Sequence, residues 1–268
     1  MKIESQKLIY FSPTGTTKKV VENIAKGTGL KVTEDIDFTS IKNRKEGLHF
    51  GSELVIIGAP VYSGRIPIDA LNLLKSLKAE NTPAILVVVY GYRAYDLALI
   101  ELKEVAESVG FKGIAAAAFI GEHSFATKEL PIANDRPDSD DVTDALEFGS
   151  QVINSLESVL LDNCSLEVPG TLPLPERQPF PIPIVPETSD NRCTLCGICA
   201  EVCPNSAISR GNSKQIDADR CIKCCACIKE CPEDAKRFNH EMFNKISAQL
   251  SDLATSGERK EAEVFYCN

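Results

Sequence analysis

The sequence has no apolar stretch long enough to cross a bilayer. Its longest apolar runs, Ile85 to Val89 and Ile114 to Ile120, are strand-length, far short of the ~20 residues a spanning helix needs. The N-terminal run from Leu8 to Phe11 is too short for a signal-peptide core, and no cleavage site follows it. The expectation is a soluble, cytoplasmic protein with no membrane insertion. Positive charge is also scarce: 29 Lys and Arg stand against 38 Asp and Glu, for a net charge of −9. That balance argues against nucleic acid or an anionic membrane surface as partner and favours a docking partner with a basic patch. No G-x-G-x-x-G turn follows a strand-like run, so direct NAD(P)H oxidation is not expected, and there is no Walker loop. Tryptophan is absent.

Cysteine is what the chain has in quantity. Nine of its eleven cysteines fall between Cys193 and Cys231, and without a secretory signal such a cluster reads as metal binding rather than as a disulfide framework. The segment repeats with a 28-residue period. Cys193, Cys196, Cys199 and Cys203 match Cys221, Cys224, Cys227 and Cys231, while Pro204 matches Pro232 and Ala207 matches Ala235. Both runs read C-x2-C-x2-C-x3-C-P, the bacterial iron–sulfur signature. Thiolates are soft ligands suited to iron–sulfide cores. Three close cysteines wrap one cube and the fourth reaches the other. One [4Fe–4S] cluster is therefore expected on Cys193, Cys196, Cys199 and Cys231, and a second on Cys221, Cys224, Cys227 and Cys203. Two structural zinc sites would usually separate their cysteine pairs by a longer loop.

Residues Ser189 to Phe238 resemble the two-cluster bacterial ferredoxins, a small α+β fold. Those proteins commonly carry glycine after the second cysteine, as Gly197 is here; the second run has Cys225 instead. It is expected to be a buried spare thiol. Cys164 and Cys267 lie outside the repeat and are expected to be structural or incidental.

The first 165 residues alternate strand and helix patterns. Strand-like runs at Lys7 to Ser12, Lys31 to Phe38, Glu53 to Pro60, Pro83 to Gly91 and Ile114 to Ile120 alternate with helical patterns, the last from Asp141 to Leu161. The expectation is an α/β, doubly wound, parallel five-stranded sheet of order 2-1-3-4-5. Four segments follow: 1–165 as the α/β domain, 166–187 as a linker, 188–240 as the cysteine domain, and 241–268 as a C-terminal helix and tail. Seven prolines between Pro169 and Pro186 predict a semi-rigid, extended linker. Phe243, Ile246, Leu250 and Leu253 share one helical face, expected to serve domain packing.

After the first strand comes Ser12-Pro13-Thr14-Gly15-Thr16-Thr17 at the start of a helix. Hydroxyls and free amides there suit a phosphate, and they equally suit a plain helix cap. In the expected topology the ends of strands one, three and four border one crevice. Together with Gly58 to Pro67 and Tyr90 to Asp96, the first loop gives Lys2 to Leu161 a resemblance to flavodoxins. That resemblance implies FMN, with Ser12, Thr14, Gly15, Thr16 and Thr17 on its phosphate. Pro60, Tyr62, Ser63 and Gly64 would line one side of the ring, and Gly91, Tyr92 and Tyr95 the other. With no tryptophan present, Tyr62 is the stacking candidate. Arg65 and Arg93 fit the ring or phosphate, or equally the surface. His123 follows the fifth strand on the same sheet edge, where a lone loop histidine more often has no cofactor role.

The whole chain resembles a family from anaerobic bacteria and archaea that fuses a flavodoxin-like domain to a C-terminal ferredoxin domain. The resemblance implies electron transfer between two [4Fe–4S] clusters and FMN, exchanging electrons between one-electron and two-electron partners. Two further readings stand beside it: an FMN-dependent reductase of a small acceptor such as a quinone, and a ferredoxin with a flavin-free docking domain.

Overall fold

Side chains along the first strand alternate between two cores. In β1 (Ser5–Tyr10), Leu8 and Tyr10 pack on one face of the sheet, and Ile9, with Phe11 just beyond, packs on the other. This period of two is what a strand buried on both sides requires. The computed structural model describes residues 3–45, 47–156, 164–178 and 184–267. Its main sheet runs β2 (Lys31–Asp37), β1, β3 (Leu54–Pro60), β4 (Thr82–Tyr90) and β5 (Phe111–Ile120), all parallel and in the expected order. Every residue of β3 and β4 is buried, as their unbroken apolar runs require. Helices α1 (Thr16–Thr28), α2 (Ile68–Lys75), α3 (Ala98–Ser108) and α4 (Ser139–Leu156) cover the two faces. The remainder of the helix expected to end at Leu161 lies outside the described residues. No helix among them is long and apolar enough to cross a membrane.

The sheet has six strands rather than five. The tail returns as β6 (Glu263–Tyr266), antiparallel to β5, with Glu263 opposite Ala118 and Tyr266 opposite Ala115. The physical reason lies in β5. Its Ala115–Ala118 run would otherwise be an unpaired edge of small apolar residues, which invites pairing with another chain. Cys267, at the end of β6, donates its N–H to the Ile114 carbonyl at 3.0 Å, and its sulfur is joined to Cys164 in a disulfide.

The first half of the proline-rich segment lies strapped to the α/β domain. Leu166 is part of its core. Arg177 donates to the Ile66 carbonyl at 2.8 Å and to Glu101 at 2.5 Å. Arg65 donates to the same carboxylate at 2.5 Å and to the Pro175 carbonyl at 3.1 Å. Glu101, buried on α3, also accepts the Ile66 N–H at 3.0 Å. A buried carboxylate is tolerable only when paired in this way. Residues 179–183 of the linker lie outside the described residues. Arg177→Ala is expected to free this strap, so that limited proteolysis within 166–178 becomes several-fold faster while the sheet's circular dichroism is unchanged.

Beyond the linker, two short antiparallel pairs frame the cysteine repeat: Glu187–Thr188 with Lys236–Arg237, and Ile208–Ser209 with part of Asn212–Ile216. Single-turn helices α5 (Ile198–Glu201) and α6 (Ala226–Lys229) follow the second cysteine of each run. Helix α7 (Glu241–Ser256) closes the module, and its first turn is capped by the His240 ring accepting the Met242 N–H at 3.2 Å.

Candidate metal centres and cofactor cavity

The two cysteine runs fold into matching turns. Leu195 and Gly197 have φ of 59° and 82°, and Lys223 and Cys225 have φ of 59° and 64°. Such alternation turns successive backbone amides toward an enclosed anion. One small cavity is lined by Cys193, Cys196, Cys199 and Cys231, and a second by Cys203, Cys221, Cys224 and Cys227. In each quartet three sulfurs come from one run and the fourth crosses over from the other. Among the described residues no three His, Cys, Asp or Glu side chains are placed to hold one ion. Each quartet lines a small cavity between the two runs, as the donors to a four-iron cube would. Cys203 and Cys231 each accept a backbone N–H, from Ala207 and Ala235, both at 3.2 Å. The donors are the backbone amides of two buried alanines, and hydrogen bonds to ligand sulfur tune an iron–sulfur centre. Burial pushes the Cys224 thiol up to about 12 and raises Cys221 and Cys227 as well, so iron must displace protons to bind there. The first quartet lies near the surface, with Cys196 exposed and the neighbouring Leu195 61% exposed.

Cys225 is buried, as expected, and its place accounts for the missing glycine. It packs with Ile184, Phe238 and Phe243 in a small core that also takes in Phe125 of the α/β domain. Phe238 stacks on Phe243 at 4.1 Å, and Phe125 meets Phe243 at 4.5 Å. A side chain at position 225 fills this inter-module core, against a left-handed backbone cost of about 1–2 kcal/mol. Lys229 adds an ion pair to Glu122 at 2.5 Å, and Arg44 donates to the Pro204 carbonyl at 2.7 Å.

A cavity of about 570 Å³ opens at the carboxyl ends of the strands, within the size range of small-molecule and cofactor sites. Thr14, Thr16, Pro60, Tyr62, Ser63, Gly64 and Gly91 line it. Gly15 lines an adjoining space of about 240 Å³ with Thr14, Thr16 and Lys19. Thr17 lies behind the loop, its hydroxyl buried without a hydrogen-bond partner. Ser12 is turned to the helix, where its hydroxyl accepts the Lys18 N–H at 3.0 Å.

Tyr92 and Tyr95 are a correction: neither lines the cavity. Tyr92 packs with Ala126 and Ile132 and donates its hydroxyl to the Glu258 carbonyl at 2.8 Å. Tyr95 packs edge-on against Tyr90 and donates to the Glu263 carboxylate at 2.7 Å. Both rings seat the returning tail, a neighbour that reading the first domain alone leaves out. Arg65 is bound to Glu101, whereas Arg93 lines the cavity and pairs with Asp96.

Tyr62 and Arg65 exchange backbone hydrogen bonds at 2.8 and 3.2 Å, with Ser63 and Gly64 at φ of 52° and 76°. This is a type I′ turn, which needs positive φ at both central positions. A Cβ on Gly64 would also come within 2.5 Å of the Asp96 carboxylate. Gly64→Ala should part the loops after β3 and β4 and weaken flavin binding about tenfold, read by FMN titration, from a strain of about 1–2 kcal/mol.

The cavity's remaining wall comes from the C-terminal module. Ile222 and Lys223 close one side and Ile246, Gln249, Leu250 and Leu253 of α7 form the roof. The apolar stripe of α7 was legible in the sequence as packing, but nothing there says what it packs over. Tyr62 adjoins the second quartet, and burial above all holds its phenol protonated, with Cys224 and Cys225 beside it acting in the same direction. His123 lines both spaces, and burial with the Lys229 ammonium lowers its pKa to about 4.

The donor sets fit the groups the sequence implies. Eight thiols in two quartets suit two cubane clusters. A helix start whose Thr14 and Thr16 line a cavity walled by Pro60, Tyr62 and Gly91 suits FMN. A family model described as a flavodoxin domain matches residues 7–104, and a 4Fe–4S binding domain model matches 186–209 and 214–237. The chain is thus a flavodoxin domain joined to a ferredoxin domain with two 4Fe–4S motifs, and its cofactors are FMN and two [4Fe–4S] clusters. A search of curated proteins returns no match. Among solved structures, a flavodoxin from the domain Archaea is 14% identical, covering 57% of this chain and 99% of that one at a TM-score of 0.38. The Streptococcus pneumonia TIGR4 flavodoxin is 16% identical over 56% of this chain and 98% of that one, at 0.39. Rubredoxin oxygen:oxidoreductase from Desulfovibrio gigas is 14% identical over 58% of this chain and 36% of that one, at 0.38.

Proposed function

We propose that this chain, a flavodoxin domain followed by a ferredoxin domain, is an electron-transfer protein in which the first cysteine quartet faces the redox partner, the second adjoins the flavin, and electrons are exchanged between one-electron and two-electron partners. One observation carries the order. The segment Ile222–Lys223 walls the flavin cavity on one side and the second quartet's cavity on the other. The first quartet does not border the flavin cavity, and its Cys196 is exposed. When bound, FMN supplies two-electron storage that can be drawn on singly, and each cluster supplies a one-electron relay.

The residues of the chain set the distances and keep water out. Ile246, Leu250 and Leu253 cover the cavity, while the phenylalanine core around Cys225 holds the modules together. Such a roof favours electron delivery through the ferredoxin module over direct attack on a small acceptor. The cavity of about 570 Å³, lined by Thr14, Thr16, Tyr62 and Gly91, favours a resident flavin over an empty docking domain.

The test is anaerobic flash reduction of the clusters in the purified holoprotein, with flavin bleaching followed by absorbance. Flavin reduction should follow at a rate independent of protein concentration. A rate proportional to concentration, or clusters that stay reduced beside an oxidised flavin, would sink the proposal.

A further inference from the structure

His123 is held more firmly than a surface loop residue has reason to be. Its backbone N–H donates to the Ile132 carbonyl at 3.1 Å, and its carbonyl accepts the Ala126 N–H at 2.9 Å. Its ring meets Phe125 edge-on at 4.7 Å. It also lies flat against the glycine after β4, where a Cβ on Gly91 would come within 2.2 Å of the imidazole Cδ2. The Nδ1 atom accepts the Phe125 N–H at 3.0 Å. A neutral imidazole carries one proton, so with Nδ1 an acceptor the proton sits on Nε2.

The low pKa of the ring keeps it neutral at physiological pH. His123 borders both the ring-sized cavity and the smaller space beside Thr14, Gly15 and Thr16. It therefore stands between the places that the ring and the phosphate of a flavin mononucleotide would take. Among the described residues no hydrogen bond to Nε2 is formed.

We propose that His123 is a cofactor-tuning residue: its Nε2–H, fixed in direction by Phe125 and Gly91, donates a hydrogen bond to an acceptor atom of the bound flavin nucleotide that gains negative charge on reduction, and so raises the flavin's reduction potential. The inference rests on the FMN reading above and adds a residue that the flavodoxin loops do not contain. A neutral donor does this without adding a further full charge to the smaller space, which Lys19 and Lys229 already line.

Two measurements test it. In the first, the holoprotein with its clusters is titrated potentiometrically under anaerobic conditions as wild type, His123→Gln and His123→Leu. His123→Leu should lose about tenfold in its preference for reduced over oxidised FMN, a fall of about 30 mV for a two-electron couple. His123→Gln, which keeps an N–H at nearly the same reach, should recover most of it. In the second, nitrogen NMR of wild-type His123 should report the Nε2-protonated tautomer in both states and a shift of Nε2 on FMN loading. The NMR arm needs no variant, so a Leu protein that fails to fold leaves the inference exposed to refutation. An unchanged Nε2 signal on loading, or equal potentials in all three proteins, overturns the role of His123 alone. A protein that takes up no FMN overturns the electron-transfer proposal and this inference together.

Discussion

Cys224→Ala is expected to strip one of the two iron–sulfur centres, about four irons per chain, whereas Cys225→Ala keeps its full iron. The two sulfurs are neighbours in sequence and both are buried, but they face different surroundings. Cys224 lines the second quartet's cavity with Cys203, Cys221 and Cys227. Cys225 also borders that space, yet its side chain is packed into the Ile184–Phe238–Phe243 core, and its sulfur lies 3.7 Å from the Lys223 carbonyl. Deleting a cluster ligand leaves an iron corner without its thiolate, and in a module this small the metal contributes a large part of the folding free energy. Deleting the packing sulfur removes one small apolar group, at about 1 kcal/mol. Iron and sulfide counts on anaerobically purified protein distinguish the two variants. Equal iron loss would mean that position 225 can ligate and that the second quartet is assigned wrongly.

Cys267→Ser should lower the stability of the sheet by about 5 kcal/mol under non-reducing conditions. The estimate comes from the loop the Cys164–Cys267 bond closes, with a sequence separation of 103; a cross-link over about 100 residues removes that much chain entropy from the unfolded state. The readout is the urea midpoint of far-ultraviolet circular dichroism for both proteins with and without a thiol reductant. Wild type should fall toward the variant on reduction, and the variant should not move. Amides of β6 should exchange with solvent faster in the variant, because the strand pairs only with β5. A midpoint insensitive to both changes would leave the covalent bond without a structural role.

The parallel order of the sheet was legible because β3 and β4 have unbroken apolar runs and one ligand-type loop follows β1. The grouping of the cysteines around two small cavities was legible because spacing in a short repeat is nearly geometry itself. The sixth strand was not. Glu263–Tyr266 is too short to carry a periodic signal, and the cue for it, the Ala115–Ala118 edge, lies some 150 residues away in sequence. The misplaced tyrosines have the same origin. Tyr92 and Tyr95 look like cavity residues until the tail supplies Glu258 and Glu263 as their partners. Likewise Ile222, Lys223 and the α7 residues became cavity walls only through tertiary packing between modules. The role of Cys225 was half legible: its burial followed from its position, but Phe125 beside it comes from the other domain, far from Phe238 and Phe243 in sequence.

The polypeptide leaves the α/β sheet after α4 and rejoins it at β6. The iron-bearing part is therefore a graft within the flavodoxin scaffold, attached at both ends, and not a pendant on a leash. A pendant would swing, and the gap its electrons tunnel across would vary with every excursion. A graft held by two stems keeps that gap nearly constant, so lengthening the proline-rich stem alone should change the hopping rate little. Exchanging the module for another would require cutting the chain twice.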